Sequence, residues 1–434
     1  MIERCVELNA WVTVDAEQAL EDARAIDDAV AAGWPVGPLA GIPFGVKDLQ
    51  DVAGLRTAHG SLLRADDPPA EADSLLVARL RAASAIPLGK TTTPEDGWMG
   101  DTVGPLTGAT RNPWDPSRSP GGSSGGTAVA LAAGMVPLGT GSDGGGSIRI
   151  PASICGLAGL KPSHGRVPIG GPTPPGAGLF AACGPMGVRT RDTAYALASC
   201  AGPDPLDPFS LPSGGLDWRI PDQPDLPARV AWAPNPDWPV DSGVAAACET
   251  AVGRLADAGT EVVVVERLHR HPPLLDWWVA WTAYHNRAAG RHRGSEAWDR
   301  IDPGLRAMMD QAEQRVTHVR LLHALDQIHH HNADVEAVLA RAPVLLTPTV
   351  ASETPRSGRN GTIDGVETRQ WAPFTQVCNL TRHPAGSVPC GTTKAGLPVG
   401  IQVIGAHNAD TEVLHTMAAL EALWADLLPP FPAW

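Results

Sequence analysis

The chain has 434 residues, of which 43% are hydrophobic and 18% charged, as is ordinary for a folded protein of one large or two average domains. Its net charge of −14, with dispersed Lys and Arg, disfavours a nucleic-acid partner, which requires a concentrated basic face. No window approaches the ~20 apolar residues of a membrane span, and the N-terminus lacks the pattern of a signal peptide.

Helices and strands alternate from end to end. The pattern predicts helices over residues 14–32, 73–84, 127–134 and 409–425, and strands over 37–48, 85–91, 136–142, 228–234, 261–266, 343–350 and 398–405. Residues 202–226 form a proline-rich surface segment, a candidate lid, and residues 273–340 are mainly helical. Because no clean linker interrupts the alternation, we predict one α/β domain over residues 1–434, with a variable, mainly helical insertion at about 202–340.

A glycine-rich loop, GTGSDGGGSIR over residues 139–149, is the first candidate site. So many glycines indicate unusual backbone angles or a close approach to a dinucleotide, a phosphate or an oxyanion beside a nucleophilic serine. Gly139, Gly141 and Gly144 match the dinucleotide pattern GxGxxG, but Pro151 interrupts the helix that must follow. No acidic residue stands ~20 positions later to bind a ribose, so the dinucleotide interpretation fails.

Other ligand-binding patterns also fail on their spacing. Residues 89–91 (GKT) resemble the end of a Walker A loop, but Ser84 stands where that loop needs a glycine. Three consecutive histidines at 329–331 cannot all face one metal ion from a helix, and the HRH run at 269–271 has no partner at ligand spacing. We interpret both runs as solvated and predict no metal and no cofactor. Seven cysteines without a CxxC pair favour buried thiols in a reducing cytoplasm.

A second run rich in glycine and serine, SPGGSSGGTAVALAAG, covers residues 119–134. The ordinary role of Ser123 or Ser124 would be to cap the helix that follows. However, that helix leads away by ~14 Å and the next strand returns by ~15 Å. Ser123 is therefore predicted to meet Ser147 at one end of the sheet, where α/β enzymes bind ligands.

A nucleophilic serine needs a base, and Lys47 is the candidate. Its apolar neighbours Phe44 and Val46 would lower the pKa of the ammonium by disfavouring the charged form. The alternative interpretation is an exposed pair of Lys47 and Asp48 at the end of a strand.

Four blocks of sequence resemble the amidase signature family in their order and spacing. They are GPLAGIPFGVKD (37–48), SPGGSSGGTA (119–128), GSDGGGSIRIPASICGLAGLKPS (141–163) and the C-terminal block at 374–405. The likeness covers most of the chain and is weakest between about 200 and 340. It implies an α/β fold with a large twisted mixed β-sheet enclosed by α-helices.

The resemblance also implies a Ser-cisSer-Lys triad. Ser147 would be the nucleophile, Lys47 the base, and Ser123, in a cis peptide after Gly122, the bridging residue. The implied oxyanion hole consists of the backbone N–H groups of Gly144, Gly145, Gly146 and Ser147.

Two residues that flank the loop, Asp143 and Arg149, are interpreted as structural supports. Gly144 departs from the family, in which a threonine or isoleucine is usual after the aspartate. It therefore predicts a more flexible or roomier loop.

The resemblance implies an amidase-type hydrolase that cleaves C–N bonds of amides or carbamates through an acyl-enzyme, with some esterase activity. Trp98 and Met99 are candidate substrate-binding residues. Trp277, Trp278 and Trp281 form either an aromatic pocket or core packing. We expect small aryl or apolar substrates and a monomer or homodimer in the cytoplasm. The motif CGLAGLKPSHGRV leaves open an alternative, the glutaminase subunit of a tRNA-dependent amidotransferase, which would require partner chains.

Overall fold

The computed structural model describes residues 6–170 and 178–434. The strands are β1 (Trp11–Val14), β2 (Pro43–Lys47), β3 (Ile86–Thr91), β4 (Val103–Gly104), β5 (Gly108–Ala109), β6 (Leu138–Asp143), β7 (Gly159–Lys161), β8 (Ala182–Gly187), β9 (Arg229–Trp232), β10 (Glu261–Val264), β11 (Val344–Pro348), β12 (Gly361–Ile363), β13 (Val366–Thr368), β14 (Ala385–Thr392) and β15 (Pro398–Gly405).

Helices alternate with these strands and lie around them. They are α1 (Ala16–Ala31), α2 (Leu75–Ala82), α3 (Gly125–Ala132), α4 (Arg149–Cys155), α5 (Thr190–Cys200), α6 (Ser242–Asp257), α7 (Leu274–Ala289), α8 (Glu296–Arg300), α9 (Pro303–Arg315), α10 (His318–Leu339), α11 (Val377–Leu380) and α12 (Asp410–Leu423). The segment between β10 and β11 contains α7 to α10, as the predicted helical region required.

The first sheet has five strands in the order β1-β3-β2-β6-β8. Its three inner strands are parallel, with Val46 beside Lys90 and Phe44 beside Leu138, and both edge strands are antiparallel. Since β2 and β6 run in the same direction, their last residues, Lys47 and Asp143, lie at the same edge of the sheet.

The second sheet has six strands in the order β10-β9-β11-β15-β14-β7 and is also mixed. The α/β fold is thus confirmed, but its strands form two hydrogen-bonded sheets instead of the predicted single one. The edge strands β7 and β8 adjoin, and the N–H of Ala158 donates to the carbonyl of Val188 at 3.4 Å. Pro162 and Pro185 stand at this junction without an N–H to donate, so the ladder does not continue across it.

The largest buried cluster takes its side chains from both sheets and from the helices that cover them. It includes Phe44 and Val46 of the first sheet, Leu346 and Ile401 of the second, and Leu197, Leu255 and Leu420 of α5, α6 and α12. A shared core of this kind holds the two sheets together through the hydrophobic effect.

Helix α3 and strand β6 position the two serine-rich runs. All eight residues of α3 (GGTAVALA) are buried, and most are small enough to let the helix lie close to its neighbours. At Gly126 a Cβ atom would lie only 2.4 Å from the backbone N of Thr92. The helix leads away from Ser124 and β6 returns to Asp143, so the out-and-back path inferred from the sequence is present.

Element boundaries differ from the predictions where glycine turns intervene. The strand predicted over 37–48 is only Pro43–Lys47, because residues 37–42 form turns and Gly41 has a φ of 74°. The helix predicted over 14–32 is Ala16–Ala31 and ends before Gly33, whose φ is 73°. Left-handed backbone of this kind favours glycine and terminates regular structure.

The proline-rich segment at 202–226 contains no helix or strand. Arg79 anchors its first residues by donating to the carbonyls of Cys200, Gly202 and Pro203 at 3.0, 2.9 and 2.7 Å. Its role as a lid stays a prediction.

Two expectations drawn from composition can be compared with the described residues. None of the helices there combines the length and hydropathy that crossing a bilayer requires. Six cysteines, Cys155, Cys183, Cys200, Cys248, Cys378 and Cys390, are buried free thiols. Cys5 lies outside the described residues.

Candidate active site

Lys47, at the end of β2, is completely buried among hydroxyl groups. Its ammonium nitrogen Nζ lies 2.8 Å from the Oγ atoms of both Ser123 and Ser124, and 3.0 Å from Oγ of Ser142. Burial lowers the pKa of Lys47 to about 7, although the negative charge of Asp143 opposes the shift. The exposed Lys-Asp pair considered from the sequence is therefore wrong, and Lys47 can be neutral near pH 7.

The two serine-rich runs meet beside Lys47. The backbone N–H of Ser124 donates to the carbonyl of Ser147 at 3.2 Å, and the peptide bond between Gly122 and Ser123 is cis. Ser123 and Ser147 are 2% and 8% exposed, so both hydroxyls lie just below the surface of the site. The predicted residues Lys47, Ser123 and Ser147 are thus brought into one cluster.

Ser124 differs from Ser123 in its surroundings, although both touch Lys47. Its Oγ lies 3.4 Å from both the N–H and the carbonyl of Ser142 on β6. Its hydroxyl is therefore tied to the sheet. Ser123 instead faces Gly97, where an added Cβ would lie 2.9 Å from its Oγ.

An ion pair between Asp143 and Arg149 holds the glycine loop. Both side chains are fully buried, with Nη2 to Oδ1 at 2.8 Å and Nε to Oδ2 at 2.9 Å. Burial alone would raise the pKa of Asp143, but the charge and hydrogen bonds of Arg149 hold it well below its ordinary value. Arg149 also donates to Gln402 Oε1 and Asn379 Oδ1 at 2.6 and 2.7 Å. These amides, in the C-terminal block, were not singled out from the sequence.

One predicted oxyanion donor is engaged elsewhere. The N–H of Gly146 donates to Oδ1 of Asp143 at 2.7 Å, so it points into the loop and is not free for a substrate. For the N–H groups of Gly144, Gly145 and Ser147, no acceptor is found among residues 6–170 and 178–434. The oxyanion prediction is therefore corrected to these three donors.

Two tryptophans of α7 cover the glycine loop. Trp277 and Trp281 stack with ring centroids 5.2 Å apart, and Nε1 of Trp277 donates to the carbonyl of Gly144 at 2.8 Å. A Cβ at Gly144 would lie 2.5 Å from Trp281, and one at Gly145 would lie 2.4 Å from Trp277. The prediction of a roomier or more flexible loop is wrong, because the tryptophan rings fill the space that the missing side chains leave.

We expect Gly145→Ala to lower the free energy of unfolding by about 1–3 kcal/mol, since Trp277 or the loop must shift to accept the methyl group. Chemical denaturation followed by circular dichroism measures this change. Gly253→Ala on α6 is the matched control, because a Cβ there meets nothing within 4 Å and alanine favours a helix. Equal stability of the two variants would show that the tryptophans do not constrain the loop.

The segment at 91–100 forms a polar and aromatic wall next to Ser123. Asp96 pairs with Nδ1 of His59 at 3.3 Å. The ring of His285 packs edge-on against Trp281 at 4.6 Å, and burial lowers its pKa to about 4, so it is neutral near pH 7. His59 and His285 were not foreseen, since neither stands in a motif.

The two candidate substrate-binding residues lie in the same wall. Trp98 accepts a hydrogen bond at its carbonyl from Nε1 of Trp281 at 3.2 Å, and its ring packs against Leu305 and Met309 of α9. Met99 is half-buried. Contact of Trp98 and Met99 with substrate stays a prediction, as does the role of the half-buried Trp278.

The histidine runs are only partly on the surface. His329 and His330 are exposed, as predicted, but His331 is 0% exposed and His269 is 4% exposed. The interpretation of both runs as solvated is therefore wrong for these two residues. Folding brings them together, with ring centroids 5.9 Å apart, across a sequence separation at which ligand spacing is not recognisable.

Comparison with known proteins places this site in a family. The Amidase family model matches residues 2–414. An acylamidase from Rhodococcus erythropolis is 36% identical over 441 residues, covering 97% of this chain and 90% of that protein. One subunit of a glutamyl-tRNA(Gln) amidotransferase, from Salinispora tropica, is 33% identical over 461 residues, covering 98% and 91%. The crystal structure of a bacterial aryl acylamidase of the amidase signature family superposes with a TM-score of 0.89 at 29% identity, covering 98% of this chain and 92% of that one.

The chain belongs to the amidase family, and it is an amidase-type C–N hydrolase. The resemblance stated from the four sequence blocks is thereby confirmed. The likeness extends both to acylamidases and to an amidotransferase subunit, so it leaves the substrate open.

Proposed function

We propose that this protein hydrolyses small aryl or apolar amides and carbamates, with some esterase activity, through an acyl-enzyme formed on Ser147. The observation that carries the proposal is the contact of 2.8 Å between Nζ of a fully buried Lys47 and Oγ of Ser123. A lysine whose pKa is lowered to about 7 has a neutral form at physiological pH and can then accept a proton.

In the proposed mechanism, neutral Lys47 takes the proton of Ser123 as Ser123 takes the proton of Ser147. The Ser147 oxygen attacks the substrate carbonyl, and a tetrahedral oxyanion forms. The N–H groups of Gly144, Gly145 and Ser147 are suited to stabilise this charge, because they are not engaged by acceptors in the described protein.

Collapse of the tetrahedral intermediate breaks the C–N bond. The leaving nitrogen takes the proton back through Ser123 from Lys47, which restores the neutral base. Water then attacks the acyl-enzyme by the same relay, and the carboxylic acid, or the carbamic acid from a carbamate, leaves. No metal ion or organic cofactor is needed to balance these steps.

The preference for aryl or apolar groups is supported by the stacked Trp277 and Trp281 beside the loop. Trp277 is half-buried and packs against Gly145, two positions from Ser147, so an apolar surface adjoins the reacting atoms. The similar acylamidase and aryl acylamidase support the same substrate class.

A panel of matched chromogenic substrates tests the proposal. Acyl p-nitroanilides, aryl carbamates and p-nitrophenyl esters with the same acyl group are each incubated with the purified chain, and release of the chromophore is followed. We expect turnover of anilides and carbamates in addition to esters. Hydrolysis of the esters alone would contradict an amidase that acts on these C–N bonds.

The pH profile is expected to follow the protonation of Lys47. Only the neutral amine accepts a proton, so kcat/KM for an anilide should fall about tenfold per pH unit below a pKa near 7 and level off above it. Initial rates between pH 5 and pH 9 measure the profile. A rate that stays constant from pH 5 to pH 7 would contradict a lysine base with this pKa.

The glutaminase subunit of a tRNA-dependent amidotransferase is the second candidate. Its support is the 33% identity to the amidotransferase chain from Salinispora tropica over nearly the whole length. Such a subunit would release ammonia from glutamine, with tRNA-dependent partner chains, whereas a stand-alone hydrolase acts on anilides as a monomer or homodimer. Assay of glutaminase and anilidase activity in the same preparation, with its mass measured by light scattering, separates the two.

A further inference from the structure

A cluster of histidines and carboxylates lies away from the serines, where α10 packs beside the start of α7. His331 and Asp334 lie on α10, Asp276 on the first turn of α7, and His269 in the segment between β10 and α7. His331, His269, Asp334 and Asp276 are 0%, 4%, 6% and 8% exposed. The proposed hydrolytic mechanism uses none of them.

Two buried ring nitrogens in this cluster are unsatisfied. Nδ1 of His331 and Nδ1 of His269 have no hydrogen-bond partner in the part of the chain that the structure describes. A buried polar atom without a partner costs about 1–3 kcal/mol, so a protein seldom retains two of them in one place without a ligand.

Asp276 sets the tautomer of His331. Nε2 of His331 lies 2.8 Å from Oδ2 of Asp276, so the proton resides on Nε2 and donates to the carboxylate. The lone pair of Nδ1 is then free to coordinate. A carboxylate behind the far nitrogen of a histidine is the usual arrangement behind a metal ligand.

Asp334 supplies an oxygen donor to the same point. One donor atom from each of His269, His331 and Asp334 lies within 4.8 Å of the others. Ligand atoms around tetrahedral Zn²⁺ lie about 3.4 Å apart for bonds of ~2.1 Å, so the three must draw together only slightly. Asp334 also accepts from Nε of Arg270 at 2.9 Å, and this arginine is mostly exposed and can move away.

The cluster is accessible and carries the right protonation state. A cavity of about 440 Å³, lined by Arg267, His269, Arg270 and Asp334 among others, adjoins it and offers an entry path. Burial, together with the nearby His331, lowers the pKa of His269 to about 3, so its imidazole is neutral at physiological pH. Neutral imidazole is the form that binds metals.

We propose that His269, His331 and Asp334 bind one divalent transition-metal ion, for which Zn²⁺ is the best match. Two imidazole nitrogens and one carboxylate oxygen form a common ligand set for this ion, and Asp276 orients His331 behind them. The ion joins α10 to the chain before α7. Because Asp276 directly precedes Trp277, it also fixes the end of α7 that covers the glycine loop.

Metal titration of the full chain tests this proposal. The protein is stripped with a chelator, dialysed against ZnCl₂ and analysed for metal content, and Co²⁺ is added separately to record its visible absorption. We expect about one equivalent of Zn²⁺ per chain, a tetrahedral Co²⁺ spectrum and a higher Tm with either ion. Substoichiometric Zn²⁺ in the wild-type chain would overturn the proposal without bearing on the hydrolytic function.

Neighbouring histidines on α10 provide matched controls. His269→Ala and His331→Ala should each abolish stoichiometric binding, whereas Asp276→Asn should weaken it by ~10–100-fold, as loss of an outer partner does. The exposed pair His329→Ala and His330→Ala should bind Zn²⁺ like the wild type. If this control pair loses the metal to the same degree, or if His269→Ala, folded by circular dichroism, keeps it, the assignment is wrong.

Discussion

Replacement of Lys47 by alanine is expected to lower kcat/KM for an acyl anilide by about 10²–10⁴-fold, which is the contribution of a positioned general base. The ammonium contacts three serine hydroxyls and is fully buried, so no other side chain in its contact set can take the proton. The variant should also lose the fall in rate below pH 7 that the wild type shows. Steady-state rates at several pH values check both effects.

The adjacent serines provide the control for this result. Both Oγ atoms lie 2.8 Å from Nζ of Lys47, but only that of Ser124 is also tied to Ser142 on β6. If Ser123 relays the proton, Ser123→Ala should lose about 10²–10⁴-fold in kcat/KM, and Ser124→Ala at least tenfold less. Equal losses would contradict a specific relay and would leave only a shared structural effect.

Arg149→Met is expected to destabilise the protein by about 3–5 kcal/mol, because it leaves the carboxylate of Asp143 buried without its partner. Urea denaturation measures the loss. The unpaired negative charge also acts on Lys47, whose pKa Asp143 already raises, so the pH profile of the variant should shift to higher pH.

A second buried ion pair serves as the control for Arg149. Arg166 lies 3.0 Å from Asp410, and both are almost fully buried but far along the chain from the glycine loop. Arg166→Met should lose a similar amount of stability while the pH profile stays that of the wild type. An unchanged profile in Arg149→Met would contradict its influence on Lys47.

Local patterns in the sequence were sufficient for the parts of the site that lie on continuous elements. The lengths of α3 and β6 follow from their residues, so the meeting of Ser123 with Ser147 was predictable. The structural role of Asp143 and Arg149 was also predictable, because both flank the same short loop. The partners that complete this pair, Gln402 and Asn379, come from a distant block and needed the folded chain.

Other features depended on contacts between elements distant in sequence. Gly144 indicated extra space when only the loop was considered, but α7, more than 100 residues later, places Trp281 there. His331 belongs to a run of three histidines that look equivalent in sequence, yet one helical position of ~100° separates it from the exposed His330. The direction in which α10 packs therefore decides which of them is buried, and no local pattern states this direction.

The position of the acyl group is the most direct test of the proposed function. The enzyme is quenched in acid during turnover of a slowly deacylated aryl carbamate, digested, and mapped by mass spectrometry. We predict that the acyl mass is found on the peptide that contains Ser147 and is lost in Ser147→Ala. An acyl mass on a peptide without Ser147, or the same adduct in Ser147→Ala, would contradict Ser147 as the nucleophile.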